Sequence, residues 1–147
     1  MTNTYFDFED GNGPVPAHQH SNGGGWVADT AKVDATARVD PDAQVYGNAK
    51  VYGDAWVYGY AGVFGKARVY GAVEVYGNAT VSGKATVSGN ARGYGNATVS
   101  GNATVSKAKV SGDEVVNDDA QVSGDEVVKD RIFINGKWYV EEVEDDE

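Results

Sequence analysis

From Val27 the chain repeats a short pattern of hydrophobic and polar positions every six residues. Written in register, thirteen consecutive units end at Thr104. The first position is Val in all but one, Gly93, and the fifth is Ala in all but one, Val73. The third is Gly in ten successive units, Gly47 through Gly101. A period of six places the valines on no single helical face, which excludes an amphipathic helix. Strand alternation fits: Ala in, variable out, Val in, variable out, then Gly and a polar residue to turn. Asn or Asp often follows the Gly, as at Asn48, Asp54, Asn78, Asn90, Asn96 and Asn102. Short strands joined by identical corners predict an all-β, single-domain parallel solenoid whose coils pair backbone to backbone at about 4.8 Å.

These units, as in "VYGNAKVYGDAWVYGYAGVFGKARVYG" at residues 45–71, resemble the hexapeptide-repeat left-handed parallel β-helix family. The resemblance covers residues 27 to about 133, with one register slip at "VSKAK". It implies three units, about 18 residues, per triangular coil, with left-handed crossovers. The chain departs from the commonest enzyme form of the motif, in which Gly directly follows the aliphatic residue; here it stands one position later.

Four segments follow. Residues 1–26 form an N-terminal cap, 27–109 the regular helix, 110–130 irregular acidic terminal coils, and 131–147 a C-terminal hairpin cap with an acidic tail. Phe6, Phe8 and Trp26 are candidates for an apolar lid over the open first coil. In "RIFINGKWYV", Asn135-Gly136 between apolar runs is a hairpin signal, with Ile132, Ile134, Trp138 or Val140 closing the far end. The pairs Asp113/Glu114 and Asp125/Glu126 fall on different faces and read as a solvated acidic rim, not a shared cation site.

Counting by 18 sorts the outward positions into three faces. The first carries Gln44/Tyr46, Gly62/Phe64, Thr80/Ser82 and Thr98/Ser100. The second carries Lys50/Tyr52, Arg68/Tyr70, Thr86/Ser88 and Thr104/Ser106, and the third Trp56/Tyr58, Glu74/Tyr76 and Arg92/Tyr94. Aromatic columns one coil apart either stack as cross-rung packing or present an interface. The interface candidates are Trp56, Tyr58, Tyr76 and Tyr94 on the third face, with Tyr52, Tyr70, Tyr46 and Phe64 beside them.

Charge narrows the partners. The net −10 is concentrated at one end: residues 27–109 hold nine basic and six acidic residues, whereas 110–147 hold three basic and thirteen acidic. A field of +3 over the regular repeat weighs against nucleic acid, and the uneven charge against mimicry of DNA. With no cysteine, disulfide frameworks and thiolate metal sites are excluded. The N-terminus has neither the basic cluster nor the apolar run of a signal peptide, and no run approaches the roughly 20 apolar residues of a membrane helix. These readings predict a protein of the host cytoplasm or of a virion.

Catalysis finds little support. Acyltransferases of the resembled family use a solenoid histidine as general base; here the solenoid has none, and His18 and His20 both precede it. Their H-x-H spacing makes them weak metal candidates, with a polar cap loop as the ordinary alternative; carbonic anhydrases of this type need three histidines. Short Thr/Ser arrays such as Thr80/Ser82 over Thr98/Ser100 are too shallow for an ice-binding surface. The sequence HQHSNGGGWV, running straight into repeats, resembles small uncharacterised proteins of phages and mobile elements. The expectation is a non-catalytic, cofactor-free scaffold for protein binding or assembly, a homotrimer or a carrier of a protein partner. A phage inhibitor of a host or defence protein is the alternative, and a hexapeptide acyltransferase the more distant one.

Overall fold

The computed structural model describes residues 4–117, 119–123, 127–129, 131–134 and 137–140, with backbone alone from 127 onward. Two- and three-residue strands begin every six residues along the repeat, from Trp26–Ala28 to Thr104–Ser106. Together with the described strands before and after them, they stack into three sheets: one of ten strands and two of six. Each strand pairs in parallel with the strand 18 residues on, so Val45 lies beside Val63, Val51 beside Val69 and Val57 beside Val75. The result is a parallel β-solenoid, and no helix occurs among the described residues.

The alternation holds residue by residue. Val45, Val51, Val57, Val63 and Val69 are wholly buried, as are Ala37, Ala43, Ala49 and Ala67. Small and branched side chains alternate around each coil, which suits a narrow interior. Gly93 is the one gap in the valine columns: it lies between Val75 and Val110 on the third face, and a Cβ there would meet nothing within 4 Å.

Corners explain the glycines. Gly47 has φ +68°, and a Cβ on it would come within 2.9 Å of the Gly65 backbone nitrogen in the next coil. Conformation and close approach therefore both demand glycine. The register slip is equally local. Lys107 takes the left-handed conformation, φ 62°, and replaces the usual Gly-plus-polar pair with a single residue. The pairing offset accordingly drops by one, to Arg92↔Lys109 and Thr98↔Val115.

That slip changes one expectation. Glu114 does not lie on a solvated rim; it is completely buried. In the register reset by Lys107, Val110 and Gly112 hold the first and third positions, so Glu114 falls on the fifth, which points inward. Asp113, on the fourth, accepts a hydrogen bond from Asn96 Nδ2 at 3.2 Å, extending a corner ladder in which Asn78 donates to Asn96 at 3.3 Å. Asp125 and Glu126 lie outside the described residues.

The N-terminal segment also differs from a simple lid. Tyr5–Asp7 and Pro14–Gln19 form an antiparallel hairpin that extends the first sheet beyond Trp26–Ala28. Its aromatics pack on the outside of that sheet, where Phe6 stacks on Trp26 and Phe8 on Tyr46, each at 4.7 Å. Phe8 is buried there with Ala17 and Ala28. The coil itself is closed by the Gly-rich loop: Val39 N–H donates to Asn22 O at 3.0 Å, and Gly25 N–H to Val39 O at 2.8 Å. Gly25 leaves no room for a side chain, since its Cβ would sit 2.3 Å from Asp40 O. At the other end, Arg131–Ile134 pairs antiparallel with Lys137–Val140, as a hairpin requires. The Asn135-Gly136 turn, the proposed closing side chains and the tail lie outside the described residues.

Candidate binding faces

On the third face, two columns of side chains run side by side. Tyr58, Tyr76 and Tyr94 form a near-parallel ladder, with ring centres 4.7 and 5.1 Å apart and planes within 6° of parallel. Trp56 tilts against Tyr58 at 4.1 Å, and the Arg38 guanidinium sits 5.1 Å from the Trp56 ring. All four rings are half-buried. Trp56 Nε1 is buried with no hydrogen-bond partner.

Most of the charge on this face is paired, and Lys109, opposite Arg92, has no ion pair with a described residue. Tyr58 O–H donates to Glu74 Oε1 at 2.9 Å, and Arg92 Nε lies 4.0 Å from Glu74 Oε2. Burial, then the hydrogen bond and charge of Glu74, hold the Tyr58 phenol protonated well above the ordinary tyrosine range. Burial and the neighbouring Tyr94 raise Tyr76 as well. The face is therefore flat, aromatic and close to neutral, a surface suited to contact with another apolar surface and ill suited to acid–base work.

The first face divides its aromatics differently. Phe64 stacks on Tyr46 at 4.8 Å, and Tyr46 is covered on its other side by Phe8 of the N-terminal hairpin. Beside that stack lies a mostly apolar cavity of about 270 Å³, lined by Phe8, Val15, Pro16 and Ala28, with Asp10 and Asp29 at its rim. Burial, then the charge of Asp10, raise the pKa of Tyr46.

The second face is basic. Lys32, Lys50 and Arg68 stand directly opposite one another in successive coils, and none forms an ion pair with a described residue. Tyr52 is half-buried beside them and Tyr70 is exposed. Lys66 and Lys84 are stacked at the corner leading onto this face, and both are exposed.

The two histidines diverge. His18 Nδ1 donates to Asp29 Oδ1 at 2.7 Å on the surface, whereas the buried His20 donates from Nε2 to Ala37 O at 2.8 Å and ties the cap loop to the first coil. Among the described residues, no three His, Cys, Asp or Glu side chains cluster as a metal site would need, and no helix is long and apolar enough to cross a membrane. Sequence counting placed every ladder residue on its correct face. It passed over Tyr60, 73% exposed at a corner, because corner positions vary without a period. It grouped Lys50 and Arg68 with Tyr52 and Tyr70 as a weak nucleic-acid candidate, and it left out Lys32, 18 residues before Lys50, which extends the pair to a column.

Residues 43–59, 75–89 and 91–107 match the family described as the YdcK beta solenoid repeat. No curated protein matches the chain, and no solved structure does. Repeat match and stacked parallel sheets agree: the chain is a β-helix repeat protein.

Proposed function

We propose that this β-solenoid is a non-catalytic scaffold whose third face binds protein, in the first instance further copies of itself as a homotrimer. One observation carries the reading: Tyr58, Tyr76 and Tyr94 form a half-exposed ladder on a rigid sheet, beside which Glu74 is engaged by the Tyr58 hydroxyl and by Arg92. Stacking within the ladder accounts for its order. It leaves the outer edges of the rings, and Trp56 beside them, available to a partner. A rigid scaffold loses little conformational entropy on binding, which favours such a role.

The likeness of residues 18–27 to small phage proteins supports a phage or mobile-element setting, in the host cytoplasm or in the virion. Light scattering across a range of concentrations tests the assembly. A stable trimer that Tyr58→Ser with Tyr76→Ser dissociates supports the reading, and a monomer at all concentrations removes self-association. Mass spectrometry of purified particles then separates a virion component, present in stoichiometric amounts, from a soluble accessory protein that inhibits a host factor.

A further inference from the structure

We propose that the basic second face is the docking surface for the acidic C-terminal segment of a second copy, "EEVEDDE" at residues 141–147. The first observation is an electrostatic imbalance. Like charges directly opposite one another on neighbouring strands are destabilising. Yet Lys32, Lys50 and Arg68 stack in register with no ion pair to any described residue. Lys66 and Lys84 add two more exposed cations at the adjoining corner. On the third face Arg92 faces Glu74 and Arg38 is paired with Asp40 at 2.7 Å, which leaves Lys109, opposite Arg92, as the one cation there with no ion pair among the described residues. An anionic partner would relieve the second face in the same way.

The second observation is complementarity within the chain. Six of its last seven residues are acidic. An extended acidic strip can place carboxylates along a column of cations, and Lys and Arg on a flat sheet can meet it without deep burial, so each pair keeps its solvent and loses little to desolvation.

The third is reach, which assigns the occupant to another copy. In the ten-stranded sheet, Lys137–Val140 lies seven strand spacings from Trp26–Ala28, the strand level with Lys32, or about 34 Å at about 4.8 Å each. Seven residues span at most about 25 Å when fully extended. By the same count Lys50 lies six spacings away, about 29 Å, and Arg68 five, about 24 Å, so a chain's own residues 141–147 cannot run along the column to Lys50 and Lys32, and a neighbour's can. This contact is separate from the third face and adds a salt-sensitive step to any assembly made there.

The test is light scattering of the full chain at about 20 mM and about 500 mM salt, where screening differs several-fold. The expected result is a larger mass at low salt that falls at high salt. Lys50→Glu with Arg68→Glu should weaken this step at least tenfold, and so should Glu144→Gln, Asp145→Asn, Asp146→Asn and Glu147→Gln made together. All these positions are surface positions or tail, so melting curves should match the parent. The decisive arm mixes the two variants: one keeps only the tail and the other only the face, so at low salt the mixture should reach a larger mass than either variant alone, and lose the excess at high salt. A salt-independent mass, or a tail-neutralised chain that assembles like the parent, overturns the proposal. So does capture of a single-stranded oligonucleotide through Lys50 and Arg68 with no change in mass, which would give the face to nucleic acid. Tyr58→Ser with Tyr76→Ser should leave this salt-dependent step intact, so failure of the third-face reading and failure of this one are distinguishable.

Discussion

Tyr58 and Tyr76 lie face to face in successive coils, 4.7 Å between ring centres and 6° from parallel, and the Tyr58 hydroxyl is held by Glu74. The pair contributes to the fold and, in the reading above, to a partner surface. Replacing both with Ser should cost about 1–3 kcal/mol in denaturant unfolding, the sum of a few cross-strand aromatic pairs. The solenoid should persist by circular dichroism, while assembly is lost. Unfolded protein would show that the ladder holds the coil together.

The raised Tyr58 pKa makes a prediction about alkaline pH. The folded state keeps this proton above pH 10.0, where the unfolded phenol loses it. Stability from this group is therefore complete below about pH 10 and falls as pH rises beyond it. A melting temperature that drops above that pH, with a late step in the tyrosinate absorbance titration, is expected. Tyr58→Phe should remove the last part of that step and leave the contribution of Tyr46 and Tyr76, whose phenols are also raised.

Gly65→Ala tests the corners. Gly65 has φ +69°, and its Cβ would lie 3.0 Å from the Gly83 backbone nitrogen. Strain and backbone displacement should together cost about 1–3 kcal/mol. Gly62→Ala is the control, because its nearest neighbour would be a Phe64 ring carbon at 3.9 Å. Thermal melts of the two variants should differ clearly.

Gly93→Val should stabilise the protein. The position is buried, faces the core between Val75 and Val110, and has space for a side chain. Filling the column and removing a strand glycine should add about 1–2 kcal/mol. An unchanged or lower melting temperature would mean that the gap is not free volume.

Val69→Asp probes the assignment of inside and outside. Val69 is wholly buried among valines and alanines, and a lone carboxylate there would have no cationic partner in the core among the described residues. Loss of several kcal/mol and unfolding of the middle coils are expected by hydrogen exchange.

Periodicity determined which residues face inward, which share a face, and where the register shifts. Each coil uses the backbone of the next as its template, so one error would turn every later side chain inside out. Even the burial of Glu114 follows from that count once Lys107 is recognised as a one-residue corner. Outside the repeat no such constraint exists. "YFDFEDGNGPVP" contains aromatics suited to a lid, and only the tertiary structure decided that Phe8 stacks on the outside of Tyr46 while His20 and the glycines close the coil. The same holds for the bond between Tyr58 and Glu74 and for Lys50 and Arg68, which have no ion pair among the described residues. Alternation specifies the face on which a long side chain emerges, but the neighbour it reaches depends on packing across coils, which no local pattern records.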